Sequence, residues 1–159
     1  MMAPAFHVAQ ETAVWPPPPP LRELLLDADP DERQVADHLA HGELYVARSR
    51  GAAAGAIVIR QTGEDTWEIM NCSLVLHALH IIRNKGARYA ELGTCDASPG
   101  PMALYESCGF RISGVVKNHF TDNYPEPVWD NGVQCIDMIR MRADLFPQEG
   151  ETPPTGQKL

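Results

Sequence analysis

Two pairs of histidines have the residue type and the spacing that a metal site could use. His77 and His80 are three residues apart, as are His38 and His41, so each pair lies on one face of a helix. Neither pair is accompanied by a third ligand at a metal-site spacing, and we therefore expect no metal. The chain also contains neither the nucleophile elbow of Ser/His/Asp hydrolases nor a glycine-rich nucleotide-binding loop.

The cysteines give no indication of a zinc site or a disulfide. Cys72, Cys95, Cys108 and Cys135 are widely separated, and no two of them form a C-x-x-C pair. We therefore expect four reduced thiols, buried as small apolar side chains.

Composition and charge exclude several classes of protein. The chain has 159 residues, of which 44% are hydrophobic and 21% charged, as in an ordinary globular domain. The formal net charge of -8 argues against a nucleic-acid or anionic-membrane partner. Residues 1–10 lack the basic flank and apolar run of a signal peptide, and no apolar run is long enough to cross a bilayer. We expect a cytoplasmic protein.

Periodicity predicts an α/β fold with a mixed sheet. A first strand at residues 6–10 leads through a Pro-rich connector to helices at 21–28 and 30–41, the second capped by Asp29 and ended by Gly42. The remaining predicted elements are strands at 44–47, 54–59 and 67–70, a helix at 73–85, a strand at 87–93, a helix at 98–108, and strands at 110–117 and 133–141. The helix at 73–85 predicts a right-handed crossover between two parallel strands.

Residues 103–111, with the sequence A-L-Y-E-S-C-G-F-R, resemble the A-L-Y-x-x-x-G-F-R signature of GNAT acetyltransferases. Residues 67–71 resemble the central strand of that family, and residues 86–94 resemble the strand that follows it. Residues 124–127 and 134–138 resemble a bacterial subgroup. The resemblance extends from about residue 24 to residue 145.

The resemblance implies the acyl-CoA N-acyltransferase fold, a mostly antiparallel central sheet with helices on both faces. We expect an N-terminal strand and Pro-rich connector at 1–20 and an acetyltransferase domain at 21–147. Residues 148–159, rich in Pro, Gly and polar residues, predict a flexible tail. The implied activity is transfer of an acetyl group from acetyl-CoA to a primary amine of a small molecule or peptide. By analogy alone, a homodimer is also expected.

The resemblance also assigns roles to individual residues. Tyr105 would protonate the departing thiolate, although its ring could equally belong to the core, as we expect for Leu104 and Phe110. The end of the central strand would present free backbone groups to the acetyl-pantetheine arm; its residues are Ile69, Met70 and Asn71.

Four further assignments have plain alternatives. Glu68 would relay the proton of the amine, or would be a solvated strand residue. Ser98 occupies a position where many family members have an asparagine that faces the cofactor, but it could simply cap a helix. His119 and Tyr124 fall where the acceptor often binds, and they could equally be surface residues.

The chain departs from the family after the central strand. GNAT proteins have there a Q/R-x-x-G-x-G/A loop whose N–H groups hold the pyrophosphate of CoA, and no such motif occurs in this sequence. Either the loop belongs to the natural protein and is absent from this sequence, which the close match of the flanks favours, or the chain has lost it. In the second case the protein would be a non-catalytic GNAT-like binding or regulatory domain.

Overall fold

The computed structural model describes residues 6–147, so the expected flexible tail at 148–159 lies outside the described residues. The helices in this range are α1 (Leu21–Ala28), α2 (Glu32–His41), α3 (Val75–Asn84), α4 (Pro99–Ser107) and α5 (His119–Asn123). The strands are β1 (His7–Glu11), β2 (Glu43–Ser49), β3 (Ala52–Gln61), β4 (Thr66–Cys72), β5 (Tyr89–Cys95), β6 (Arg111–Val116), β7 (Trp129–Asp130), β8 (Val133–Gln134) and β9 (Met138–Asp144). No helix among these residues is long and apolar enough to cross a membrane.

Seven of the strands form one sheet in the order β1-β2-β3-β4-β5-β9-β6. Only β4 and β5 are parallel, and α3 connects them. All other neighbours in the sheet are antiparallel. The predicted mixed, mostly antiparallel sheet and its single helical crossover are therefore confirmed.

Helices cover both faces of the sheet, as predicted. Ile57 and Ile59 of β3 pack in the core cluster that includes α3 and Phe110. Ala56 and Val58, which alternate with them, pack in a second cluster with α1 and α2. Because both faces of β3 are covered, its central residues are almost entirely apolar.

The start of α2 differs from the prediction. Asp31, not Asp29, is the N-cap, and its carboxylate accepts a hydrogen bond from the N–H of Arg33 at 2.9 Å. The Asp29 carboxylate accepts from the N–H of Asp31 at 3.0 Å, which forms a local turn before the helix. This turn leaves Asp29 outside the helix and free to line a cavity described below.

The strand predicted at 133–141 is two separate strands. β8 pairs with β7 in a small hairpin, and only β9 joins the main sheet. The turn predicted at residues 130–132 is present, with φ of 51° at Asn131 and 76° at Gly132.

The expectation of four reduced cysteines was wrong. Cys95 at the end of β5 and Cys135 after β8 form a disulfide, while Cys72 and Cys108 are free thiols. The two bonded cysteines are 40 residues apart in sequence, so their spacing gave no sign of the bond. Pairing of Cys95 with Met138 across β5 and β9 brings Cys135 close.

The expectation that Leu104 belongs to the core was also wrong. α4 has no buried residue, and Leu104 is 54% exposed. Phe110, which follows the helix, is completely buried as expected.

Candidate active site

A wedge between β4 and β5 forms the centre of the candidate site. The parallel pairing of these strands begins at Thr66 with Tyr89 and ends at Ile69 with Leu92. β4 continues to Cys72 without a partner on that side, whereas β5 continues to Cys95 paired only with β9. The two strands therefore separate after Ile69 and leave backbone groups of β4 unpaired.

Met70 is a β-bulge at the mouth of this wedge. On β3, Val58 pairs with Asn71 and Ile59 with Ile69, so Met70 is the extra residue of β4. Among the described strands Met70 has no register partner on β3 or β5. The bulge therefore interrupts the regular ladder of β4 at the point where the two strands separate.

Two cavities meet at the wedge. The larger has a volume of about 670 Å³ and the smaller about 170 Å³. Both are lined by Ile69, Met70, Gly93 and Tyr105. The smaller cavity extends toward the start of α3, and the larger extends toward α2 and α5.

Tyr105 lies between the two cavities. Its ring packs edge-to-face on Phe110, with the ring centroids 6.1 Å apart, so the core-packing alternative describes the ring correctly. Its hydroxyl has no hydrogen-bond partner among the described residues. Burial raises the pKa of the phenol, and the neighbouring thiols Cys72 and Cys108 raise it further. The hydroxyl therefore keeps its proton at neutral pH.

Cys72 is the free thiol nearest in sequence to the wedge, but it is not a nucleophile at neutral pH. Burial raises the pKa of this thiol to about 11. Its sulfur accepts a hydrogen bond from the N–H of Leu74 at 3.1 Å, which helps to shape the turn into α3.

β4 passes into α3 through only two residues, Ser73 and Leu74. The Ser73 hydroxyl accepts from the N–H of Ala56 at 2.9 Å and donates to its carbonyl at 3.2 Å. The Ser73 N–H also donates to the Ala56 carbonyl, at 3.0 Å. A side chain at Gly55 would contact the Leu74 side chain closely, so glycine lets Leu74 pack against β3. In this chain the short connection is therefore a well-bonded structure, with no glycine-rich loop.

The N-terminus of α3 has unsatisfied backbone donors. Ala78 is the first residue of this helix whose N–H bonds back, to the carbonyl of Leu74 at 3.0 Å. The N–H groups of Val75, Leu76 and His77 have no partner among the described residues, and the Leu74 side chain does not cap them.

Glu68 faces the larger cavity but is not a solvated residue. Its side chain is 15% exposed, and its Oε1 accepts from Arg140 at 2.5 Å. Arg140 also donates to Glu91 at 3.2 Å. Gly93 makes room for this arrangement, because a side chain there would press on Met138 and Arg140. Of the two Glu68 oxygens, only Oε2 is without a partner among the described residues.

His119 and Tyr124 lie together on the far side of the larger cavity, with their ring centroids 6.3 Å apart. The Tyr124 hydroxyl donates to Asp29 at 3.1 Å. Burial raises the pKa of the Asp29 carboxyl and of the Tyr124 hydroxyl, and for Tyr124 the charge of Asp29 adds to the effect. Burial lowers the pKa of His119, as does the nearby Arg140. Neither side chain is a plain surface residue.

Ser98 is buried in the wall of the larger cavity. It occupies the N-cap position of α4, but its side chain makes no capping bond. Its hydroxyl donates instead to the Asp130 carboxylate, which ties the start of α4 to the β7–β8 hairpin. The helix-capping alternative is therefore wrong for the side chain.

Sequence reasoning missed three residues of this cavity, namely Asp29, His38 and Arg60, and it also missed Arg140, the partner of Glu68. His38 had been considered only as a metal ligand. Among residues 6–147, no group of three or more His, Cys, Asp or Glu side chains is arranged to hold a metal ion. The signal that could have indicated Arg60 is its position directly after the apolar residues 56–59 of β3.

Comparisons with known proteins place these features among acetyltransferases, although no family model matches the chain. An N-acetyltransferase of Bacillus subtilis (strain 168), YvbK, which is described as uncharacterized, is 36% identical over 138 residues. These cover 79% of this chain and 89% of the relative.

Two solved structures resemble the whole fold. A GNAT family acetyltransferase from Elizabethkingia anophelis with acetyl-CoA bound is 34% identical, with a TM-score of 0.79, covering 87% of this chain and 97% of the other. A Bacillus subtilis acetyltransferase in complex with CoA is 32% identical, with a TM-score of 0.78, covering 88% of this chain and 99% of the other.

Proposed function

Because this chain belongs to the GNAT family of N-acetyltransferases, we propose that it transfers an acetyl group from acetyl-CoA to a primary amine of a small molecule or peptide. The observation that carries this proposal is the meeting, at the wedge, of a backbone segment without a register partner and a side-chain hydroxyl without a hydrogen-bond partner among the described residues. These are the backbone of the Met70 bulge and the hydroxyl of Tyr105.

The acetyl-pantetheine arm fits the wedge. The smaller cavity is lined by Ile69, Met70 and Asn71, as well as by Tyr105. The Asn71 side chain donates to the Leu25 carbonyl at 2.9 Å, on the α1 side, so only its backbone would face the arm. Ser98 lines the larger cavity, and from there it would contact the cofactor.

The reaction needs stabilisation of an oxyanion, removal of a proton from the amine and a proton donor for the departing thiolate. Residues at the wedge are suited to each of these roles. A neutral amine attacks the thioester carbonyl, and the resulting oxyanion would accept a hydrogen bond from the Met70 backbone N–H. The amine then loses a proton, which Glu68 would accept at Oε2 directly or through water. When the C–S bond breaks, the electron pair stays on sulfur, and the Tyr105 hydroxyl would donate to it.

The pyrophosphate is the part of CoA that this chain is least equipped to hold. Without the glycine-rich loop, the donors at that end are the three free N–H groups at the start of α3. This observation favours the alternative function, a GNAT-like domain that binds a ligand without catalysis.

One experiment separates the two functions. Binding of acetyl-CoA is measured by calorimetry, and release of the CoA thiol is followed with a panel of primary amines. Thiol release that depends on an amine supports the enzyme. Tight binding of acetyl-CoA with no thiol release for any amine in the panel would favour the binding domain.

A further inference from the structure

We propose that Arg60 and His38 form a subsite for a carboxylate, so that the acceptor carries a carboxylate as well as its amine, as a free amino acid does. This inference rests on the proposed function, because it names the class of molecule that would occupy the larger cavity.

The first argument is the balance of charge in the cavity wall. The buried or half-buried carboxylates already have donors: Asp29 has the Tyr124 hydroxyl, Glu68 has Arg140, and Asp130 has Ser98. The fourth acidic residue of the wall, Asp27, is exposed on α1.

Arg60, by contrast, is half-buried in the wall and has no ion pair or hydrogen bond with any described residue. A guanidinium presents five N–H donors in a planar fork that matches a carboxylate. Among the described residues, Arg60 is therefore the arginine of this cavity wall whose donors are not already used, and it can bind one negatively charged group of a ligand.

The second argument is a buried nitrogen without a partner. His38 of α2 lines the same cavity and is only 8% exposed, and its Nδ1 has no hydrogen bond. Buried polar atoms in native proteins nearly always have a partner. Arg60 and His38 line the same cavity and are close enough to interact electrostatically. A neutral imidazole with its proton on Nδ1 would donate to a carboxylate oxygen.

The third argument is position. Arg60 pairs across β3 and β4 with Glu68, two residues before Met70, which is roughly 7 Å along the strand. The start of α3 lies in the opposite direction, beyond the pairing of Ile57 with Cys72. The subsite therefore belongs to the acceptor half of the site and not to the CoA half.

Charge also favours a carboxylate over a phosphate. A phosphate monoester has a charge of about -1.5 to -2 at neutral pH. In this cavity it would lie near Asp29, Glu68 and Asp130 with only one unpaired arginine to balance it. A carboxylate carries a single negative charge, so these three residues repel it less and Arg60 can balance it.

The test compares acceptors that differ only in the acidic group. Thiol release is measured with free L-amino acids, with their amides, and with O-phosphoethanolamine and ethanolamine. For wild type we expect KM to be at least tenfold lower for the best amino acid than for its amide. In Arg60→Gln the KM for the amino acid should rise roughly 10- to 100-fold, the usual effect of losing hydrogen bonds to a charged group. The KM for the amide and kcat should change little.

His38→Gln should raise the same KM by a smaller factor. Arg50→Gln is the matched control, because it removes one positive charge from an exposed turn outside both cavities. Equal KM values for an amino acid and its amide would overturn the proposal, as would an equal loss with both in Arg60→Gln. A preference for O-phosphoethanolamine over every amino acid would also overturn it.

A binding measurement keeps this inference separate from the proposed function. If no amine gives thiol release, N-acetyl-L-amino acids and their amides are titrated into wild type and Arg60→Gln by NMR. Binding of the acids that depends on Arg60 supports the subsite even when the proposed transfer fails. Binding of neither acids nor amides, or equal binding to both proteins, would overturn it.

Discussion

Replacing Tyr105 by phenylalanine removes one hydroxyl and keeps the ring. The ring packs on Phe110, whereas the hydroxyl has no partner among the described residues. Because no hydrogen bond is lost, we expect the free energy of unfolding to change by less than about 0.5 kcal/mol.

Turnover should respond much more strongly. The departing thiolate corresponds to a thiol with a pKa of about 8.5, and burial holds the pKa of Tyr105 above its ordinary value. The phenol is therefore a protonated donor throughout the neutral range, and its hydrogen bond strengthens as negative charge develops on sulfur. We expect kcat to fall about 100-fold, which corresponds to about 2.7 kcal/mol in activation free energy. Affinity for acetyl-CoA should be nearly unchanged.

The assay is steady-state thiol release run beside a thermal melt, with Tyr45→Phe as the matched control. The Tyr45 hydroxyl donates to Glu43 at 2.8 Å and does not line either cavity. Its loss should cost about 1 kcal/mol of stability with kcat preserved, the opposite pattern to Tyr105→Phe. An unchanged kcat in Tyr105→Phe would refute the reasoning and leave solvent or another side chain as the proton source.

Three further predictions concern other parts of the chain. Insertion of a Q/R-x-x-G-x-G loop between Cys72 and Leu74 should tighten acetyl-CoA binding, because it adds backbone donors for the pyrophosphate; equal affinities by calorimetry would mean that the pyrophosphate is held elsewhere. Reduction of the Cys95–Cys135 disulfide should destabilise the protein by about 4 kcal/mol for a separation of 40 residues, and a melt that dithiothreitol does not shift would contradict this. Burial raises the pKa of Asp29 in the folded protein above its value in the unfolded chain. Wild type therefore loses stability as the pH rises and Asp29 ionises, whereas a variant with asparagine there does not. The stability of Asp29→Asn relative to wild type should thus increase as the pH rises from 4 to 7. A difference in melting temperature that is constant across this range would show that Asp29 is not the cause.

The sequence predicted the features that depend on local pattern. The period of two and the crossover helix predicted the strands of the mixed sheet and its parallel pair, and the signature around Tyr105 drew attention to a residue that lines both cavities. The turn at Asn131 and Gly132 was predictable because its residue types favour positive φ.

The features that were missed depend on contacts between distant segments. The partner of Cys95 is set by the pairing of β5 with β9, and the partner of Glu68 is an arginine 72 residues away. Asp29 looked like a helix cap because Asp-Pro commonly starts a helix, but a local turn moved the cap to Asp31. His38 and Arg60 come to line one cavity only when α2 packs on the sheet.

The central claim is that acetyl transfer takes place at the wedge between β4 and β5. The most direct test supplies acetyl-CoA labelled in its acetyl group together with the amine panel, and follows the label by mass spectrometry. We predict that the label appears in an amide product with wild type and is reduced about 100-fold in initial rate with Tyr105→Phe. Label that stays in acetyl-CoA, or that appears only as free acetate, would contradict the claim.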